Sequence, residues 1–195
     1  MRFREYINNR DFWIYIFKFI SAFCLLYFGT LAIIGFSVPG GYYSPFIAEH
    51  LNFVDWLRRS LLYGAKGVTY LFGFDTQVEG QYILRITHGH SIRMVYQCIG
   101  YGVMSFWAAF VFANSALIVK KIKWIVGGWI LIWIINVVRI SLLLIAVNKR
   151  WSTPLKIDHH TLFNIAAYLL ILIMIYFFDR SQRRQAGNNK QSQLS

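Results

Sequence analysis

Charged side chains are scarce in this chain. Only 14% of its 195 residues are Asp, Glu, Lys or Arg, whereas 57% are hydrophobic and 18% are aromatic. A soluble domain is about 25% charged and about 45–50% apolar, so this chain has too few charges to cover the surface of a soluble globule. The shortage excludes a soluble enzyme and a disordered chain, and it indicates an integral membrane protein.

Cysteine is also scarce, and the sequence has no internal repeat and no glycine-rich phosphate loop. The two cysteines cannot supply the disulfide framework of a small secreted module. What is abundant is basic charge, with a net charge of +12. The 20 Lys and Arg lie almost entirely between the apolar runs, where such residues set membrane orientation, so the charge does not indicate nucleic acid binding.

Four apolar runs are long enough to cross a bilayer, which takes about 20 residues. They predict an all-α integral membrane helical bundle with spans at about 12–38, 98–119, 124–147 and 161–178. The first run is too long for a signal peptide and lacks a small-residue cleavage site. We predict a single membrane domain over residues 1–180 and a polar, disordered cytoplasmic tail over residues 181–195.

The loop charges predict the orientation of the spans. If the N-terminus is cytoplasmic, the inner segments hold 11 Lys and Arg in 39 residues, and the outer segments hold 8 in 72. This bias follows the positive-inside rule. We therefore expect a multi-pass protein of a bacterial cytoplasmic (inner) membrane with both termini in the cytoplasm.

The outer segment 39–97 is too long to be a simple connection. Apolar residues at helical spacing over residues 46–71 predict an amphipathic helix on the outer membrane surface, with a shallow fifth pass as the alternative. From Val78 onward, apolar and polar residues alternate on both sides of the sequence His88-Gly89-His90. This pattern predicts a short β-hairpin that leads into the second span.

Polar residues inside the third span mark a candidate site. Arg139 lies about 12 Å below the outer end of that span at 1.5 Å per residue, and an arginine there costs about 2.5–3.5 kcal/mol on insertion scales. Asn136 precedes it on the same helix face, so this face must point into the bundle. The alternative role for Arg139 is structural, bonding the carbonyls of a neighbouring helix.

Cys98 lies where the predicted hairpin meets the second span. A lone cysteine is most often a small hydrophobic residue, but the N-terminus of a helix favours a thiolate. Cys24 lies among apolar residues of the first span and is interpreted as structural. On this topology Cys98, Arg139 and His160 all come to the outer face, which suits acyl transfer by a cysteine nucleophile.

The histidines have two interpretations. His160, with His159 as its alternative, begins the fourth span and can carry a proton near neutral pH. A metal site formed with His88 and His90 is disfavoured because adjacent histidines rarely point at the same ion. We predict no metal and no cofactor.

At these residues the sequence resembles the exosortase/archaeosortase family of membrane cysteine transpeptidases. The resemblance covers about residues 78–178 and rests on a cysteine before a small residue and glycine, an Asn-x-x-Arg, and a histidine before the last span. The matching segments are Tyr96-Gln97-Cys98-Ile99-Gly100, Asn136-Val137-Val138-Arg139 and Asp158-His159-His160. The sequence departs from the family pattern at Ile99, where many members have serine, and at Asn164, where glycine is usual.

The resemblance implies a function and a partner. Such proteins cleave the C-terminal sorting signal of a secreted protein, which has a short motif, a transmembrane helix and a basic cluster. Cys98 would form a thioester, Arg139 would stabilise the thiolate and oxyanion, and His160 would carry the proton, with Asn136 in support. The acceptor nucleophile, and the choice between transfer and hydrolysis, stay open.

Three other functions are alternatives to a transpeptidase. The main alternative is a non-catalytic membrane scaffold or assembly factor in which Asn136 and Arg139 only join helices. A transporter or channel is disfavoured because the polar positions cluster at one face. A quinone or haem protein would need a second histidine on a facing span, and the sequence has none.

Overall fold

The computed structural model describes residues 10–40, 42–149 and 159–192, which are mostly helical with one small sheet. Five α-helices lie in these ranges: α1 Arg10–Ser37, α2 Phe53–Leu71, α3 Tyr101–Ala113, α4 Ile118–Asn148 and α5 His159–Ser192. The strands are β1 Thr76–Glu79, β2 Ile83–Ile86 and β3 Ser91–Arg93. A π-helical turn at Ile47–Leu51 precedes α2, and a 3-10 helix at Tyr96–Ile99 precedes α3.

Two of the described helices, α1 and α4, are long and apolar enough to cross a membrane. Their 28 and 31 residues span about 42 and 46 Å at 1.5 Å per residue, against a hydrocarbon core of about 30 Å. Length and apolar composition therefore support membrane association of the chain. The number of spans and the orientation stay predictions.

The predicted second span at 98–119 is not one continuous helix. Helix α3 has only 13 residues, about 20 Å at 1.5 Å per residue, and it ends at Ala113. The amide of Asn114 donates to Phe110 O at 2.8 Å and the Asn114 backbone is extended, so the helix stops there. An apolar run does not record this capping amide, which explains the difference.

The chain turns at residues 114–117 rather than at the predicted loop 120–123. Lys120 and Lys121 lie in the first turn of α4, where their ammonium groups donate to carbonyl oxygens of Ser181 and Phe112 at 3.2 and 2.7 Å. The prediction of a disordered tail is wrong as far as Ser192, because α5 continues through the polar residues.

The outer segment contains the predicted hairpin as β2 and β3. They pair antiparallel, with Leu84 opposite Ile92, and β1 adds a third strand on the other side of β2. Asn148, the last residue of α4, holds the turn between β2 and β3: its side chain accepts from His90 N at 2.7 Å and donates to His90 O at 3.3 Å. The hairpin is thereby fixed to the end of α4.

Helix α2 is amphipathic as predicted, and its buried face packs on α4; its position relative to the membrane stays a prediction. The indole of Trp133 donates to Ser60 Oγ at 3.0 Å, and Ser141 Oγ donates to Ala65 O at 3.3 Å. Gly64 lies between these contacts. Small residues allow this close approach of two helix backbones, so α2 is an integral part of the bundle.

The core has an outer and an inner part. The outer part joins α2, the sheet and α4 through fully buried residues such as Leu61, Leu62, Leu84 and Leu144. The inner part consists of Trp107, Val111, Ile132, Met174 and Phe178 from α3, α4 and α5. Ile99, next to Cys98, belongs to the outer part, so the candidate site borders this part of the core.

We predict that Gly64→Ala destabilises the protein while Gly67→Ala does not. A Cβ at Gly64 would lie 2.8 Å from Val137 Cγ2 and 3.1 Å from Trp133, whereas a Cβ at Gly67 meets nothing within 4 Å. Overpacking of this kind costs about 1–3 kcal/mol; at Gly67, alanine gains about 1 kcal/mol of helix propensity. Thermal unfolding of both variants in detergent, followed by tryptophan fluorescence, gives the comparison. Equal midpoints would contradict the packing of α2 on α4.

Candidate active site

Cys98 lies on the 3-10 helix between β3 and α3. Its backbone N–H donates to Val95 O at 3.0 Å, and its side chain is half-buried at the edge of the outer core. The strand-to-helix junction predicted for Cys98 is thus present, but the cysteine precedes α3 by three residues instead of lying in its first turn. Cys24 is half-buried on α1.

The turn that carries Cys98 is closed by Gly100. This residue has φ of +83° and forms the N-cap of α3, and its carbonyl accepts from Met104 N at 3.0 Å. A side chain at this position would be strained by the backbone and would overlap the amide of Asn136. The glycine of the cysteine motif is therefore required twice, by the backbone angle and by the close approach of α4.

Asn136 joins α4 to this turn. Its side chain is buried, with 6% exposed, and its amide donates to Ile99 O at 3.2 Å. The expectation that the Asn136 face of this helix points into the protein is confirmed for Asn136. Two of the sequence-predicted residues, Cys98 and Asn136, are thereby brought to the same place, since Ile99 directly follows Cys98.

Arg139 lies three residues after Asn136, which puts it on the same face of α4. Its side chain is half-buried. Within the described residues, its guanidinium forms no hydrogen bond to a carbonyl of a neighbouring helix. The structural role considered for Arg139 depends on such bonds, and the described residues show none.

His159 and His160 are the first two residues of α5, and their side chains lie outside the described part of the chain. Helices α4 and α5 run antiparallel, with Lys120 bonded to Ser181 O and the rings of Trp124 and Phe178 5.4 Å apart. These contacts lie far along α5 from the two histidines, so the proximity of His159 or His160 to Arg139 stays a prediction.

An apolar cavity of about 580 Å³ begins at Tyr101, three residues after Cys98, and Cys98, Asn136 and Arg139 are not among its lining residues. It lies among α1, α2, α3 and α4, and Tyr101 and Ser105 of α3 line it together with Trp133 of α4. Exposed side chains such as Trp56, Trp129 and Ile130 also line it, so the cavity opens on the apolar outer surface of the bundle.

Arg58 was not predicted as a site residue, although it is buried beside the Cys98 turn. Its guanidinium carbon lies 4.8 Å from the ring centre of Tyr96, two residues before Cys98. A signal was present in the sequence: Arg58 follows Val54 by four residues and precedes Leu61 by three, so helical spacing places a charge within the apolar stripe of α2.

The ranges 10–40, 42–149 and 159–192 contain no group of three His, Cys, Asp or Glu side chains that could bind a metal ion. His88 adopts a left-handed backbone with φ of +61°. His90 is held through its backbone by Asn148. Both histidines therefore lie in the turn between β2 and β3, and the backbone of each contributes to it.

Comparison of the chain with protein-family models, with curated proteins and with solved structures finds no match.

We predict that Asn136→Asp destabilises the protein by about 1–3 kcal/mol, because a carboxylate keeps the shape of the amide but leaves the buried Ile99 carbonyl without a donor. Asn114→Asp is the matched control, since its amide also donates to a carbonyl but only within its own helix end. Thermal unfolding in detergent measures both. If both variants lose the same amount of stability, the hydrogen bond from Asn136 to the Cys98 turn contributes no more than a bond within one helix end.

Proposed function

We propose that this chain is a membrane cysteine transpeptidase or peptidase of the exosortase type, which cleaves the C-terminal sorting signal of secreted proteins. The observation that carries the proposal is the bond from Asn136 to Ile99 O. It brings the cysteine turn against the helix face that also bears Arg139, and this arginine is not engaged by neighbouring helix carbonyls in the described ranges. A cysteine nucleophile beside a half-buried guanidinium suits acyl transfer.

The chemistry begins at the sulfur. The Cys98 thiolate attacks the carbonyl carbon of the scissile peptide bond, and the guanidinium of Arg139 stabilises the oxyanion of the tetrahedral intermediate. His160, or His159 in its place, gives a proton to the leaving amine as the C–N bond breaks. The product is a thioester on Cys98 and a released C-terminal fragment.

The second half of the reaction frees the enzyme. An acceptor nucleophile attacks the thioester carbonyl, its proton passes to the histidine, and the Cys98 thiolate leaves. With an amine or hydroxyl of an envelope component the result is transfer, and with water it is hydrolysis. No metal or cofactor takes part in either half of the proposed reaction.

The apolar cavity beside the turn supports the proposed substrate. A sorting signal has a transmembrane helix directly after its cleavage motif, so apolar side chains must lie close to the nucleophile. The cavity is lined by Tyr101, three residues after Cys98, and opens toward the apolar exterior of the bundle. In the proposed topology the site faces outward from the cytoplasmic membrane, and the basic end of the substrate stays in the cytoplasm.

Co-expression with a membrane-tailed secreted protein that has a basic C-terminus tests the proposal. We expect wild type and Cys24→Ala to shorten the substrate on a gel and Cys98→Ala to leave it intact, because only Cys98 lies at the site. Mass analysis of the new C-terminus distinguishes transfer from hydrolysis. Processing by Cys98→Ala at the wild-type rate would make Cys98 structural and favour the scaffold alternative.

Arg139→Lys should keep the protein in the membrane and lower the cleavage rate by about 10²–10³, the range found for loss of one oxyanion donor. A lysine keeps the charge but cannot present the planar fork of a guanidinium. Arg59→Lys is the control, since Arg59 is an exposed arginine of α2 and should keep its activity. A near-normal cleavage rate for Arg139→Lys would mean that Arg139 contributes only its positive charge and not the geometry of its guanidinium.

A further inference from the structure

Arg58 is a buried charge that the proposed reaction does not use. It is 2% exposed on the apolar face of α2, a position where arginine is almost never found unless paired. Its partner is Asp55, one turn earlier, which also pairs with the exposed Arg59 at 3.0 Å. The Nε of Arg58 is buried without a hydrogen-bond partner, so ion pairing alone does not satisfy the guanidinium.

Two tyrosine rings supply the remaining contacts of Arg58. The guanidinium carbon lies 3.9 Å from the ring centre of Tyr82 and 4.8 Å from that of Tyr96, within the range of a cation–π interaction. Tyr82 lies just before β2, and Tyr96 begins the 3-10 helix that carries Cys98. Arg58 therefore connects α2 to both segments that lead to the candidate nucleophile.

The 3-10 helix at Tyr96–Ile99 needs such support. It has only four residues, and its N-cap residue, Val95, provides no side-chain hydrogen bond. Hydrogen bonds of 3-10 helices also have poorer geometry than those of α-helices. Its C-terminal end is held by Asn136 through Ile99 O, and its N-terminal end contacts Arg58 through Tyr96.

We infer that Arg58 is a positioning residue for Cys98: with Asn136, it clamps the two ends of the cysteine turn from two different helices. The catalytic consequence rests on the proposed function, but the clamp itself does not. A purely structural position in the apolar stripe is filled by leucine at the neighbouring Leu61 and Leu62. Arg58 differs from these leucines because its guanidinium contacts the ring of Tyr96 in the cysteine turn.

Alkylation of Cys98 by a small water-soluble maleimide tests the clamp without any substrate. All variants carry Cys24→Ser, so that only Cys98 reacts. Loss of the clamp lets the turn open, and we expect Arg58→Met and Tyr96→Leu to raise the alkylation rate by about ten- to thirtyfold, the factor that corresponds to one desolvated cation–π contact. Tyr96→Phe keeps the aromatic face and should stay within about threefold of the parent.

Two controls separate positioning from stability. Arg59→Met removes the other arginine of Asp55 and should leave the alkylation rate unchanged, because Arg59 is exposed and contacts neither tyrosine. Leu61→Ala destabilises α2 from the same buried stripe and should lower the unfolding temperature without changing the rate below that temperature. The positioning role is overturned if Arg58→Met and Arg59→Met have the same alkylation rate. It is also overturned if Leu61→Ala raises that rate as much as Arg58→Met does.

Cleavage kinetics distinguish this inference from the proposed function. With a substrate that the wild type processes, Arg58→Met and Tyr96→Leu should lower kcat about tenfold or more and leave KM within about twofold, since the turn orients the nucleophile and the apolar cavity binds the helix. A raised KM at unchanged kcat would contradict positioning. If the wild type cleaves nothing, the proposed function fails, and the alkylation rates still decide whether Arg58 clamps the turn.

Discussion

A single buried amide, that of Asn136, connects the turn that carries Cys98 to the longest apolar helix. Its hydrogen bond to Ile99 O lies where Gly100 has no side chain, so a polar contact joins the two segments in an apolar setting. In such surroundings an unmade hydrogen bond costs the full desolvation of its groups. The position of Cys98 relative to α4, and hence to Arg139, depends on this contact.

The packing of α2 on α4 provides the second wall of the site. Gly64 and Ala65 of α2 approach Val137 and Ser141 of α4 closely enough for side chain-to-backbone contact. This close approach fixes the position of α2 along α4 and therefore that of Arg58, which precedes Gly64 by six residues. The sheet is then fixed from two directions, through Tyr82 by Arg58 and through His90 by Asn148. The loops around Cys98 are thus anchored to long helices rather than to one another.

Sequence patterns predicted the parts of this arrangement that depend on hydrophobic periodicity. The uncharged runs identified α1 and most of α4, the alternation around Leu84 identified β2 and β3, and the spacing of polar residues put Asn136 on an inward face. They failed where one polar group ends or extends an element. The amide of Asn114 stops α3, and the bonds of Lys120 to Ser181 and Gln182 lie where α5 continues into its polar part. Helical spacing places Arg58 within the apolar stripe of α2, but the two tyrosine rings that it contacts come from distant parts of the chain, which no local pattern reveals.

Two arginines in apolar surroundings show how contacts separate roles that a sequence does not. Arg58 is buried, with a carboxylate at one side and two tyrosine rings near its guanidinium. These contacts within the protein offset the desolvation cost of burying its charge. Arg139 is half-buried, and in the described ranges it bonds no neighbouring helix carbonyl. A guanidinium that is already neutralised by the protein gains little from a new anion, whereas one that is partly desolvated and unengaged gains much. By this reasoning the proposed role of stabilising charge on a substrate suits Arg139, and the proposed role of positioning Cys98 suits Arg58.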